Sequence, residues 1–393
     1  MGELREGSPE DAGFRPERIE LIRQRARSWV DAGRTPSLVV LAARRGVIAL
    51  HEAFGRRTPD GPGDDLEIDS VFPVMSISKP VAATAAMLLV EEGLLSLNRP
   101  LRDYLPEVSG EGTDEILVHQ LMTHTAGYVE ADLFEYVAAH PLNDLPDIDA
   151  DQHEFEHRWL NERYAAPLSF RPGTENSYGI HCITLLGEVV RRVSGQSTAD
   201  FMRERIFHPL GMTDSSFIAE PHFADRIVTR GPDLPFGTSE YLLNIDSSFD
   251  TPSAAAGLLT TARDLAVFAQ TFLDGGTYAG VRLLSDVSVR EMTRNQIPGV
   301  GCEGWGGRQV PEASWGLGWM IQDQERWPIW TGSMQPLGTV YHQGIGACML
   351  WFEPATEVIG VFLSVAAEFD PMTFRHSWDV DLFQNMVSTA LVD

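Results

Sequence analysis

The sequence predicts an α+β fold, with a sheet-bearing domain assembled from both ends of the chain and a mainly helical domain inserted between them. Three observations carry this expectation. Runs of strand length rich in β-branched and aromatic residues lie near both termini, helical periodicity dominates the middle third, and no internal repeat or low-complexity tract points to a tandem array. The expected partition is 1–98 with 286–393 for the sheet domain and 99–285 for the insert, with an active site in the cleft between them.

Taken in order, Pro16–Ala32 places Ile19, Leu21, Ile22 and Trp29 among charges at helical spacing. Ser37–Ala43 and Val47–Ala53 flank Arg44-Arg45-Gly46 and read as a β-hairpin. Ala82–Leu95 is an apolar helix ending near Gly93. Further helices are expected at Ala131–His140, Gln152–Tyr164, Cys182–Val193 and Thr198–Phe207, separated by Pro- and Gly-bearing loops. Strands return at Trp315–Ile321, Cys348–Phe352 and Val358–Val365, and a helix over about Pro371–Leu391 closes the chain.

Of 393 residues, 43% are hydrophobic and 22% charged, a balance that supports a sizeable core. The 56 acidic against 30 basic residues give a net charge of −26, which disfavours nucleic acid and anionic membranes as partners. Cys182, Cys302 and Cys348 cannot all pair and form no C-x-x-C spacing, so free thiols are expected. The segment Met1–Glu6 has no apolar stretch, and runs such as Val81–Val90 are too short to span a membrane. A cytoplasmic location follows as an expectation, with no cofactor or metal.

The 30 basic residues comprise 29 arginines and one lysine, Lys79, which closes Ser76-Ile77-Ser78-Lys79-Pro80. Positions three apart share a helix face, so the amine can reach the Ser76 hydroxyl. Pro80 suits the first turn of a helix starting near Ser76. The unpaired N–H groups there can stabilise an oxyanion, and the positive helix end depresses the lysine pKa. Further along stand Pro172-Gly173-Thr174, Ser177-Tyr178-Gly179 and Tyr341-His342-Gln343-Gly344-Ile345-Gly346. Other stretches are Leu121-Met122-Thr123-His124-Thr125-Ala126-Gly127, His208-Pro209-Leu210-Gly211-Met212 and Trp315-Gly316-Leu317-Gly318-Trp319.

With these motifs in this order, the chain resembles the serine β-lactamase and penicillin-binding-protein superfamily from about residue 15 to the end. It is most similar to the branch of class C β-lactamases and family VIII carboxylesterases. The resemblance implies a β-lactamase/transpeptidase-like antiparallel sheet flanked by helices. It also implies an acyl-enzyme on Ser76, with Lys79 as its base partner and Tyr178 shuttling the proton to the leaving group. The backbone N–H groups of Ser76 and Ile345 would form the oxyanion hole, Ile345 lying on the strand after Gly344, where backbone approaches the substrate closely.

Two departures from the family pattern bear on substrate. The β-lactamase Tyr-x-Asn reads Tyr178-Gly179-Ile180 here, without the amide that contacts the lactam side chain. The third motif places His342 where a lysine would pair with a substrate carboxylate, exchanging a permanent charge for one that titrates near neutrality. Both favour neutral esters or a transferable acyl group over lactams and cell-wall peptides. The expected partner is a small-molecule ester or acyl donor. His342, Gly344, Ile180, Trp305 and Trp330 are the candidate substrate-binding residues, whereas Trp315 and Trp319 read as sheet packing.

Three competing motifs carry less weight. His153-Glu154-Phe155-Glu156-His157 spells H-E-x-x-H, but on a charge-studded helix with no marked third zinc ligand. Gly195-Gln196-Ser197-Thr198-Ala199 falls short of a nucleophile elbow and reads as a helix stop followed by an N-cap serine. His124 reads as a structural hydrogen-bonder. An acyltransferase using the same acyl-enzyme, and a catalytically silent binding module on the same fold, remain the alternative functions.

Overall fold

The computed structural model describes residues 2–34, 37–57, 65–229, 252–304, 308–323, 332–365 and 378–392. The runs near the two termini pair with each other. Strands β1 (Arg5–Glu6), β2 (Ser37–Arg44), β3 (Val47–Gly55), β4 (Met320–Ile321), β5 (Val340–Gly344), β6 (Cys348–Glu353) and β7 (Val358–Ser364) form one seven-stranded sheet in the order β1-β3-β2-β7-β6-β5-β4. The joint between the two ends is the antiparallel β2–β7 pair, with Leu41 opposite Val361. All pairings are antiparallel except that of β1, which runs parallel to β3 at the edge. The sheet is therefore mixed by one two-residue strand.

Every residue of β2 is buried because both faces of the sheet are covered. Leu38, Val40 and Ala42 point to one side, where helices α1 (Pro16–Asp31) and α9 (Trp378–Ser388) bring Ile19, Ile22, Trp29, Phe383 and Val387. Val39, Leu41 and Ala43 point to the other, where helix α8 (Ala262–Leu273) lies. Alternation of side chains thus splits one continuous apolar run between two cores. Although α8 falls within the stretch 99–285, it packs on the sheet. On the same side, α2 (Ser78–Glu91) is buried all round from Ser78 to Leu89, as expected of a helix without a polar face. Further helices include α3 (Val118–Met122), α4 (Glu130–Ala139), α5 (Glu154–Asn161), α6 (His181–Ser194) and α7 (Thr198–Met202), with α6 packed along α2 and short helical segments at His208–Leu210 and Asp286–Met292.

Several boundaries differ from those the sequence suggests. Helix α2 starts at Ser78, four residues earlier than Ala82, after a single 3-10 turn at Met75–Ile77. The helix expected over Thr198–Phe207 changes to a π-turn at Arg203–Phe207. The terminal helix begins at Trp378, residues 371–377 lying outside the described residues. Trp315–Ile321 is not a strand throughout. Only Met320–Ile321 is extended, and Trp315 folds back to bridge Met320. Two close approaches explain this. A Cβ on Gly318 would lie 2.3 Å from Ala83 Cβ of α2, and one on Gly316 would lie 2.0 Å from the Met292 carbonyl. The glycines let the chain turn tightly against α2, where alternation alone suggested a strand. Ser197 does cap α7, accepting from Asp200 N–H, and Gly195 ends α6 in the left-handed conformation.

Inside the sheet, Trp351 is fully buried opposite Gly360, and a Cβ at 360 would sit 2.0 Å from its ring. Gly360→Ala should therefore cost about 1–3 kcal/mol of stability in urea unfolding, from overpacking with no room to relax. A loss below about 0.5 kcal/mol, the scatter of neutral surface changes, would show that the Trp351 slot is looser than its geometry.

Candidate active site

The fold brings the three motifs of the sequence to one place. The turn at Met75–Ile77 delivers Ser76 to the start of α2, Tyr178 stands three residues before α6, and β5 carries His342 past both. Met75 has φ of 52°, a left-handed conformation unusual for a side-chain-bearing residue and one that marks stored strain beside Ser76. Ser78 holds that turn. Its hydroxyl donates to the Met75 carbonyl at 2.5 Å and accepts from Leu258 N–H at 3.0 Å. Val74 N–H donates to the Leu258 carbonyl at 3.0 Å, tying the same turn to the loop before α8.

Ser76 is half-buried, whereas Lys79 is wholly buried one turn along. Lys79 Nζ lies 2.9 Å from Ser76 Oγ and donates to the Ala255 carbonyl at 3.0 Å. Burial pushes its pKa from the usual 10.5 down to about 7, against an opposing pull from the Glu130 carboxyl. The amine can therefore be neutral near pH 7, donating to Ala255 while accepting from Ser76. The Tyr178 ring centroid lies 4.9 Å from Nζ, and the Tyr178 hydroxyl interacts with Ser76. Burial raises the Tyr178 pKa despite that contact, so this side chain stays a phenol at neutral pH.

The walls are aromatic. Trp315 stacks on Tyr178 with centroids 5.5 Å apart and meets His124 edge-on at 4.8 Å. The His124 carbonyl accepts from Ser177 N–H at 2.9 Å and its Nδ1 faces Gly179 N–H at 3.5 Å, so it steadies the backbone on both sides of Tyr178. This agrees with the structural role expected for it. Trp319 also follows expectation, packing with Phe268, Phe272 and Phe352. Trp315, by contrast, is a wall of the site.

His342 requires a correction. It is wholly buried, its Nδ1 is 2.8 Å from the Gln343 carbonyl, and burial together with nearby Lys79 pushes its pKa down to about 3. It is neutral at physiological pH and does not titrate near neutrality. Ile345 is not on a strand either: β5 ends at Gly344, and Ile345 opens the turn to β6. The close approach at Gly344 is to protein backbone, since a Cβ there would lie 2.1 Å from the Val74 carbonyl. That contact sets the end of β5 against the turn bearing Ser76. Ile180 packs its side chain against the core and donates its N–H to Glu130. Trp305 and Trp330 lie outside the described residues.

The H-E-x-x-H segment is not one helix face. His153 sits at the N-cap of α5, its ring accepting from Phe155 N–H, and both ring nitrogens of His157 contact oxygens, Gln152 Oε1 at 3.0 Å and the Pro146 carbonyl at 2.9 Å. Three contributors were not visible as such in the sequence: Ser78, Trp315 and Glu130. Ser78 lies within the S-x-x-K run, but no spacing rule distinguishes it from any other serine.

This constellation, on a sheet built from both termini, matches the residues that carry the family resemblance. A family model described as Beta-lactamase matches residues 21–381. The chain belongs to the beta-lactamase family. Within and around that family, it is 32% identical over 232 residues to the lovastatin esterase of Penicillium rubens, a match spanning 52% of this chain and 55% of that protein. Two solved structures share the fold. One is EstCE1, described as a hydrolase with promiscuous acyltransferase activity, with a TM-score of 0.74 and 21% identity over 94% of this chain and 97% of that one. The other is a family VIII carboxylesterase, with a TM-score of 0.71 and 19% identity over 95% and 99%. No helix among the described residues is long and apolar enough to cross a membrane.

Ser78→Ala would strand the Leu258 N–H in the interior and leave the Met75 carbonyl with the Ser78 backbone N–H but without the hydroxyl. It should lower stability by about 1–3 kcal/mol, the cost of unpaired buried polar groups, as read in thermal or urea unfolding. Unchanged stability would mean that the turn does not depend on Ser78.

Proposed function

We propose that this chain is a serine carboxylesterase that works through an acyl-enzyme on Ser76 and has little β-lactamase activity. The observation that carries this reading is the buried amine of Lys79, 2.9 Å from Ser76 Oγ with its pKa brought down to about 7. Such a group can take the serine proton at neutral pH.

Ser76 Oγ attacks the ester carbonyl, forming the C–O bond while its proton passes to Lys79. The oxyanion lies against the backbone N–H groups of Ser76 and Ile345. As the alcohol C–O bond breaks, the proton moves from Lys79 through the Tyr178 hydroxyl to the departing alkoxide. Water then adds to the acyl-enzyme, gives its proton to Lys79, and the acid leaves as Ser76 is reprotonated. Tyr178 serves as a phenol relay because burial disfavours its phenolate.

Neutral His342 and apolar Ile180 support the substrate class. Neither offers a cation or an amide to a lactam, and a substrate carboxylate would meet no compensating charge at His342. The likeness to a lovastatin esterase supports ester cleavage. Transfer of the acyl group to an alcohol in place of water is the second reading, favoured by the shared fold with a hydrolase of promiscuous acyltransferase activity.

Ser76→Ala should abolish p-nitrophenyl ester turnover, and a fluorophosphonate should label Ser76. Wild-type turnover in the mutant would overturn the acyl-enzyme. Lys79→Arg should be nearly as inactive, since a guanidinium keeps its proton. Nitrocefin should be a far poorer substrate than a short-chain ester, and comparable specificity constants would refute the argument from Ile180 and His342.

Because the base must be neutral, kcat/KM should rise about tenfold per pH unit below about 7 and level off above it. A profile flat from about pH 5 to 9 would exclude Lys79 as the base.

A further inference from the structure

Glu130, at the start of α4, is a charged group beside the site that the reaction above leaves idle. Its Oε1 accepts two backbone hydrogen bonds, from Ile180 N–H at 2.6 Å and His181 N–H at 2.7 Å, and so caps α6. The carboxyl lies directly on the bare backbone of Gly179, where a Cβ would come within 2.5 Å of Oε1. It therefore clamps the three residues that follow Tyr178. The second oxygen, Oε2, is buried with no hydrogen-bond partner among the described residues. An orphaned carboxylate oxygen in the interior is costly unless its charge is used.

The group positioned to use it is Lys79, which the carboxyl reaches through space, favouring the ammonium against burial. Among the other described neighbours, only Arg163 carries a charge. His124 and His342, which also face Lys79, are both held neutral by burial. The Cys182 thiol, which interacts with both Lys79 and Glu130, is pushed up to about 12 by burial and stays protonated. On the Glu130 side, His181 is held neutral at about 3, and Tyr178 is a phenol. Arg163 faces Glu130 as well and acts on it more strongly than Lys79 does. Burial raises the Glu130 pKa, and the two N–H bonds, Arg163 and Lys79 oppose that rise without reversing it.

We propose that Glu130 is a positioning residue for both proton-handling groups, fastening the backbone after Tyr178 through one oxygen while its charge supports the ammonium form of Lys79. A wholly buried lysine without a counter-charge would hold a proton too weakly to accept one from serine and pass it on. Glu130 keeps the amine matched to neutral pH. The kinetic consequence rests on the esterase reading, but the electrostatic one does not.

Lys79 is the single lysine of the chain, so protein made with [13Cε]lysine reports its titration as one NMR signal. Glu130→Gln keeps an oxygen for the two N–H bonds and removes the charge. Its Lys79 midpoint should fall about one pH unit below that of the wild type, and the acid limb of kcat/KM should move with it. Glu130→Asp keeps the charge but shortens the reach to the N–H groups. It should lower Tm while leaving the midpoint within a few tenths of a unit of the wild type.

A Gln midpoint equal to the wild type, or an Asp midpoint displaced as far as that of Gln, would overturn the proposal. The two readings also fail separately. A shifted Lys79 midpoint in a protein that hydrolyses no ester would sink the esterase and leave this assignment standing. Ester turnover with an unmoved midpoint would do the reverse.

Discussion

Everything at this site depends on a lysine held out of water. A wholly buried amine is expensive to charge, and that cost makes Lys79 a base near neutral pH. The fold bears a penalty for it. With a folded pKa near 7 against an ordinary 10.5, the group disfavours folding below about pH 10.5, where the unfolded chain would take up the proton. The penalty stops growing below about pH 7, where the folded lysine is protonated too. The left-handed turn at Met75 adds strain at the same place. Both are stability given up at the place where the proposed mechanism sets a reactive serine beside an unprotonated amine.

The surrounding packing keeps that arrangement rigid. Helix α2 has no polar face, so its first turn cannot swing the lysine out to solvent. Ser78 and Leu258 tie the preceding turn to the loop before α8, and the Ala255 carbonyl in that same loop accepts from Nζ. Gly344 brings the end of β5 within backbone contact of Val74, so the sheet edge and the serine turn move as one unit. Tyr178 is fixed from both sides, by Trp315 and His124 against its ring and by Glu130 under the helix that follows it.

Most of the proposed catalytic trio was legible because its chemistry is local or ordered. Ser76 and Lys79 are one helical turn apart, a spacing that any helix converts into contact, and the tyrosine and glycine motifs follow in family order. Strands near both termini and helices between them were enough to place the sheet. What was misread shares a cause: periodicity does not record what lies opposite. Trp315–Ile321 alternates like a strand, yet it turns with Gly316 against the Met292 carbonyl and Gly318 against α2. His342 carries the ordinary pKa of its residue type until burial and Lys79 lower it to about 3. Glu130 gave no signal, since a glutamate opening a helix usually serves only that helix, whereas this one caps α6, fifty residues away.

By itself, the sequence singled out Ser76 and Lys79 as a candidate pair and the two-ended construction of the sheet, because covalent spacing and hydrophobic period are properties of contiguous residues, whereas Tyr178 entered only through the family resemblance. Only the tertiary structure decided the protonation states and the supports. The neutrality of His342, the depressed pKa of Lys79, the Trp315 wall and the Glu130 clamp all depend on which distant groups exclude water from one another. Solvation is set by the assembled packing, and no linear spacing encodes it.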